Sequence, residues 1–319
     1  MTTGAAFAFV DTLRDAVVRD LGWLLASPSL LTAAPGAPLA QPWSDAVERV
    51  AVDAWLVALD AAPEPLHRML DGLRPVRLGR YAECLLEYFL THGPSLRLVA
   101  ANLPLRSHGR TLGEVDFLVD APGGQRLHWE LAVKCYLCAP VRGAASLADF
   151  VGPNLVDRLD RKRSRLLDHQ LRLSDRGGFA LLGYGAPSAA QMFVKGWLFY
   201  PLGARLPAVA AEIAADHPRG FWLTHAQWPA WAAAQPAGRA WSIVPRLAWL
   251  APRRLAADAA PEPLAGAPSL PPVLTTRDTP ALIGIYDQEG DGSWHETARG
   301  FVVPDDWPMR AQTFAAQVD

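Results

Sequence analysis

Between residues 96 and 137 the chain changes texture, and that change limits the fold more than any other feature. Residues 96–105, 113–119 and 126–137 are short runs rich in Val, Leu, Phe and Trp, separated by SHGRTLG and DAPGGQ, both turn-forming. They read as three successive strands, and the second and third carry charge on one face. Side chains alternate along a strand, so Glu114 and Asp116 lie opposite Val115 and Phe117. In the same way His128, Glu130, Ala132 and Lys134 lie opposite Trp129, Leu131, Val133 and Cys135. A hairpin across DAPGGQ brings Asp116 near Glu130, with Lys134 further along the strand. Two adjacent carboxylates repel at neutral pH unless a cation sits between them, and oxygen ligands suit Mg²⁺ or Mn²⁺. A lysine beside such a cation can orient or activate a water, or stabilise charge on a phosphoryl group.

Helical periodicity precedes the strands. Residues 6–32 place Phe9, Leu13, Val17, Leu21 and Leu24 on one side, and further stretches at roughly 44–60 and 63–72 complete a helical N-terminal layer over residues 1–75. LGRYAECLLEYFLTH, residues 78–92, predicts another helix with Glu83 and Glu87 one turn apart. After the strands, GPNLVDRLDRKRSRLLDHQLRLS predicts a basic amphipathic helix from an Asn154 N-cap to about Ser174, with strands following near 179–184 and 192–200. The expected core over residues 76–200 is therefore helix, three strands, helix, strand.

Residues 201–319 form a Trp-rich C-terminal extension. Its AADAAPEPLAGAPSLPP stretch, 256–272, has the Ala/Pro/Gly bias of an exposed linker, and PALIGIYD with SWHETARGFVVP predicts a hairpin around QEGDG. Trp222, Trp228, Trp231, Trp241 and Trp249 can stack on unpaired bases, although packing is the commoner fate of such residues.

Composition narrows the function classes. A net charge of −2 gives no overall attraction to a polyanion, so contact with phosphates requires a local basic patch. Three cysteines provide no disulfide framework, and Cys135 and Cys138 lack the second pair that a zinc site needs. The N-terminus lacks a basic start, and prolines interrupt the uncharged stretch Leu21–Ser44, so the reading is cytoplasmic with no membrane span. No G-x-S-x-G elbow, P-loop or G-x-G-x-x-G fingerprint is present.

The order of elements, with GEVDFLV on one strand and HWELAVKCYL on the next, resembles the PD-(D/E)XK, or restriction-endonuclease-like, nuclease superfamily. More closely, DLGWLLASPSLL, GEVDFLV, HWELAVKCYL and the basic helix are similar to a bacterial family known only as domain of unknown function 1853. The superfamily resemblance implies an α/β fold with a PD-(D/E)XK-like core, an added helical N-terminal layer and a small mixed C-terminal region. It implies Asp116 and Glu130 as ligands of Mg²⁺ or Mn²⁺, Lys134 as the lysine that serves the water, and Glu83 as an additional acid. The superfamily lysine follows its acid by two residues. Here Ala132 holds that place and Glu130 lies four before Lys134, which preserves the face but moves the acid roughly 7 Å along the strand.

On the basic helix, Arg158, Lys162, Arg165 and Gln170 are the residues expected to meet nucleic-acid phosphates or lend a group to the site, with His169 a further candidate. The functional expectation is a metal-dependent phosphodiesterase acting on DNA or RNA. The alternative is a non-catalytic nucleic-acid or protein binding module with a degenerate nuclease fold, and hydrolysis of a small phosphoester is a third reading.

Overall fold

Local signals set the helical layer. The computed structural model describes residues 8–107, 110–140, 143–203, 207–264, 269–275 and 278–317. Helix α1 (Ala16–Ala26) begins where the Asp15 carboxylate accepts the backbone N–H groups of Val17 and Val18. Helix α2 (Ala46–Ala61) begins the same way at Asp45, and α3 (Glu64–Leu73) and α4 (Leu78–His92) follow. Trp23, Leu24, Leu85 and Phe89 of α1 and α4 pack with Phe117, Trp129, Phe193 and Trp197 on one face of a sheet.

Strands β1 (Arg97–Ser107), β2 (Arg110–Asp120) and β3 (Arg126–Cys138) pair antiparallel in sequence. β3 then pairs in parallel with β4 (Ala189–Pro201), in register from Leu127 with Ala189 to Leu137 with Phe199. A strand with neighbours on both edges and packing on both faces must be apolar almost throughout, which is why β3 is buried nearly end to end. The crossover between β3 and β4 carries α5 (Leu159–Arg165) and a π-helical turn, Leu166–Gln170. Leu159 and Leu166 of this segment pack with Tyr136 and Met192 on the second face.

The sheet continues beyond β4. β5 (Arg219–Thr224) pairs in parallel with β4 and with β8 (Trp294–Val303), which forms a hairpin with β7 (Ala281–Gln288), and β7 pairs with β6 (Ala240–Ile243). The order β1-β2-β3-β4-β5-β8-β7-β6 runs through an 11-stranded mixed sheet, so the chain is a mixed α/β protein. Helix α6 (Trp307–Ala315) follows β8, and Arg158 donates to the carbonyls of Phe314, Ala315 and Gln317 around its C-terminal end. No helix among the described residues is long and apolar enough to cross a membrane.

Two local expectations are corrected. The helix read from Asn154 starts only at Leu159, because Gly152 N–H bonds to Asp157 O at 2.8 Å and Leu155 N–H to Gly152 O at 2.9 Å, closing a turn over that stretch. The strand read at 179–184 is a short helix, Gly177–Ala180, followed by turns in which Gly183 and Gly185 take positive φ. The C-terminal tryptophans pack on one another: the Trp228 ring lies 5.1 Å from Trp241 and 5.2 Å from Trp231, and Trp222 lies 5.3 Å from Trp307. In the 256–272 stretch, residues 256–258 are exposed and Leu264 is buried beside the strand pairing of Glu262 and Pro263, while 265–268 lie outside the described residues.

Candidate active site

The β2–β3 ladder runs from Asp120 opposite Arg126 to Phe117 opposite Trp129 and stops there. The next facing pair is Asp116 and Glu130. Where the strands part, backbone groups lose their ladder partners and a side chain must replace them. Asp116 Oδ2 accepts the N–H of Leu131 at 2.9 Å, and Glu130 Oε1 lies 3.4 Å from the N–H of Asp116. The two carboxylates therefore occupy the opening between diverging strands, Glu130 fully buried and Asp116 half-buried.

Burial is the main cause of their altered acidity. It raises Asp116 to about 8, with the Glu130 charge adding to the effect, and raises Glu130 to about 7 against the pull of its hydrogen-bond donors. Near neutral pH the site retains a proton that a bound cation would replace.

A chain of hydrogen bonds fixes Glu130. His128 Nε2 lies 2.7 Å from Oε1, and His128 Nδ1 lies 2.9 Å from Ser174 Oγ. Burial pulls His128 down to about 4, so the ring is neutral at physiological pH. A neutral ring has one N–H, and beside a carboxylate the consistent assignment puts it on Nε2, with the Ser174 hydroxyl donating to Nδ1. On the other side Gln170 Nε2 donates to Glu130 Oε2 at 2.7 Å, and Lys162 Nζ donates to Gln170 Oε1 at 2.8 Å. The π turn delivers Gln170 to this place, closed by Leu171 N–H to Leu166 O at 2.9 Å. Gly113 lets the turn approach β2: a Cβ there would come within 2.9 Å of Leu173 and 3.3 Å of His169.

Lys162 is thus the amine that faces the acids. Burial and the nearby Lys134 charge hold it below the usual lysine range, while Asp116 and Glu130 oppose that shift. Lys134 itself is part-exposed and its ammonium donates to Asp157 Oδ2, which also accepts the Tyr136 hydroxyl at 3.1 Å. Glu83 pairs with Arg80 at 3.0 Å on α4, yet its charge still acts on Asp116. Glu114 and Arg165 are exposed, and His169 is half-buried. Arg158 is buried, bound to Asp160 and to the chain end after α6, so it serves the fold and does not present its guanidinium to a phosphate.

Among the described residues no three His, Cys, Asp or Glu side chains converge as a ready-made ligand set. The donors at the strand opening are carboxylate oxygens, which fit a hard cation. Mg²⁺ is ordinarily held by one or two carboxylates, with water and substrate oxygens completing its shell.

A family model described as domain of unknown function DUF1853 matches residues 19–303. The chain belongs to this family. No curated protein and no solved structure shows a significant match to it. The DUF1853 match runs from α1 to the end of β8, so it takes in the helical layer, the acid site and the strands beyond β4.

Sequence reasoning named Lys162 and Gln170 among several residues on the basic helix but did not single them out, and it missed the roles of His128, Ser174 and Asp157. One signal was present. This DUF1853 chain has 30 lysines and arginines, of which only Lys134, Lys162 and Lys195 are lysines. All three lie on the β3–α5–β4 unit, Lys195 buried, Lys162 half-buried and Lys134 part-exposed. A composition that uses arginine almost everywhere else is the signal that sets these three positions apart, since lysine and arginine are not interchangeable.

Proposed function

We propose that this DUF1853 protein is a metal-dependent phosphodiesterase acting on DNA or RNA, built on a core of the PD-(D/E)XK kind. One observation carries the reading: Asp116 and Glu130 face each other where an antiparallel pair opens, on a meander whose third strand is flanked by a parallel strand. The order α4, β1 to β3, α5, β4 supports the same core.

In this reading Asp116 and Glu130 would hold Mg²⁺ or Mn²⁺, and His128 and Gln170 fix the position of the Glu130 carboxylate. Lys162 stabilises negative charge on the phosphate or steers the attacking water, with Lys134 behind it. Glu83 adds negative potential, and Arg165 is available to the nucleic-acid backbone. The bound cation supplies Lewis-acid polarisation and a more acidic water.

The test is cleavage of single- and double-stranded DNA and RNA with Mg²⁺ or Mn²⁺. Asp116→Ala and Glu130→Ala are each expected to abolish it with the circular dichroism spectrum unchanged. Undiminished cleavage by Asp116→Ala would remove the assignment. A second reading, a binding module that has lost turnover, is favoured by the engagement of Lys134 with Asp157 in place of the acids. Salt-sensitive nucleic-acid binding with no cleavage of any of these substrates would select it.

A further inference from the structure

The third lysine lies on the sheet face opposite the acids. Lys195 pairs in register with Val133 and shares its face with Phe193 and Trp197, whereas Ala132, Met192 and Val194 pack on the other side. It borders a cavity of about 560 Å³ between the C-terminal end of α1, the segment around Trp43, the start of β4 and Ala214–Asp216. That volume falls within the range of small-molecule sites, about 300–1,000 Å³.

The surroundings of Lys195 are unusual for a charged amine. The side chain is 7% exposed, its Nζ donates to Ser27 O at the end of α1, and it sits 4.8 Å from the centre of the Phe193 ring. The acid that acts on it, Asp216, is an exposed residue that also lines the cavity. Burial pulls the amine down to about 7, so near neutral pH about half of it carries a free lone pair. Ser27, at the same cavity, has a buried hydroxyl with no hydrogen-bond partner among the described residues. An arginine would satisfy the Ser27 carbonyl equally well and would stay charged, so the helix end alone does not explain a lysine in so arginine-rich a chain.

We propose that Lys195 binds a small aldehyde or ketone in this cavity as a reversible imine. The nitrogen lone pair attacks the carbonyl carbon, and the carbonyl electrons move to oxygen, which takes a proton. The resulting carbinolamine loses its hydroxyl and the remaining nitrogen proton as water, leaving C=N. Amine and carbonyl give imine and water, and no oxidant or reductant takes part. A neutral carbonyl suits the site better than an anion, because Asp216, which lines the same cavity and acts on the amine, repels negative charge there.

The experiment is reductive trapping of the full chain with butanal and cyanoborohydride at pH 7, read by peptide mass spectrometry. Only three lysines and the N-terminal amine can react. An ordinary lysine is unprotonated to roughly one part in 2,500 at this pH, so after allowance for access Lys195 is expected to label at least about tenfold faster than the lysine of an unstructured reference peptide mixed into the same reaction. Its rate is expected to reach half its maximum near pH 7, and Lys195→Arg to lose the adduct while keeping the thermal midpoint. Labelling of Lys195 no faster than of the reference peptide's lysine, or a half-maximum above about pH 9, would overturn the proposal.

Discussion

Asp116→Asn changes one atom in the acid pair and gives the most direct reading of its energetics. The asparagine keeps an oxygen for the Leu131 N–H and can donate to Glu130, so the opening between the strands stays filled. What it removes is a carboxylate whose folded-state acidity lies at about 8 against an ordinary 3.8. The sign follows from linkage. Between pH 4 and 8 the unfolded chain has released this proton and the folded chain has kept it, so wild-type stability falls as pH rises through that window and levels off above it. A shift of about four units at roughly 1.4 kcal/mol each sets a ceiling near 6 kcal/mol. Partial exposure and sharing with Glu130 reduce the expected effect to about 2 kcal/mol. Urea denaturation at pH 8.5 should then find Asp116→Asn more stable than wild type by about 2 kcal/mol, and at pH 4.5 the two should nearly coincide. Adding Mn²⁺ at about 100 times its dissociation constant should raise wild type by about 2.7 kcal/mol and leave the variant unmoved. A variant less stable than wild type at both pH values would refute the reasoning, since the pair would then be a net stabiliser of the free protein.

Two further outcomes test the surroundings of the site. Gln170→Ala removes one donor from buried Glu130 and the partner of Lys162, so it should cost about 1–3 kcal/mol in stability, measurable by urea denaturation, and weaken divalent binding in a calorimetric titration. Gly196→Ala places a Cβ 1.7 Å from Lys134 O at a φ of 142°, which forces β4 away from β3; it should destabilise the chain by several kcal/mol, seen as a large fall in thermal midpoint.

Much of the fold can be read directly from residue patterns, for stated reasons. Alternation marks β2 and β3, and helical periodicity marks α1 to α4. The run read over residues 6–32 is an α-helix only from Ala16 to Ala26, because the Asp15 carboxylate caps it there and the segment with Phe9 and Leu13 lies before the cap. The charged face of β2 and β3 brings Asp116 and Glu130 together because only a short turn separates the strands. The parts that escape a sequence reading depend on distant partners. The turn before α5 is held by Asp157, whose carboxylate accepts from Lys134 and Tyr136 on β3, and no local pattern encodes that meeting. The parallel pairing of β5 with β8 joins segments some eighty residues apart, so a region that reads as an accessory instead extends the central sheet. Lys162 reaches the acids by way of Gln170 and a π turn, a local widening of the helix that hydrophobic periodicity does not register.

The continuity of the sheet bears on how this chain can be cut. β4 has β5 along part of its outer edge, and β5 in turn is covered by β8. A fragment ending near residue 200 would present the apolar β4 as an open edge, with Phe199 and Trp197 losing the aromatic and backbone partners they have at Phe301 and Leu250. Such an edge is a template for another chain. The strands after residue 201 therefore act as a guard on the half of the chain that carries the acids, and deletion series meant to isolate a minimal unit should be expected to yield aggregates well before they reach Asp116 and Glu130.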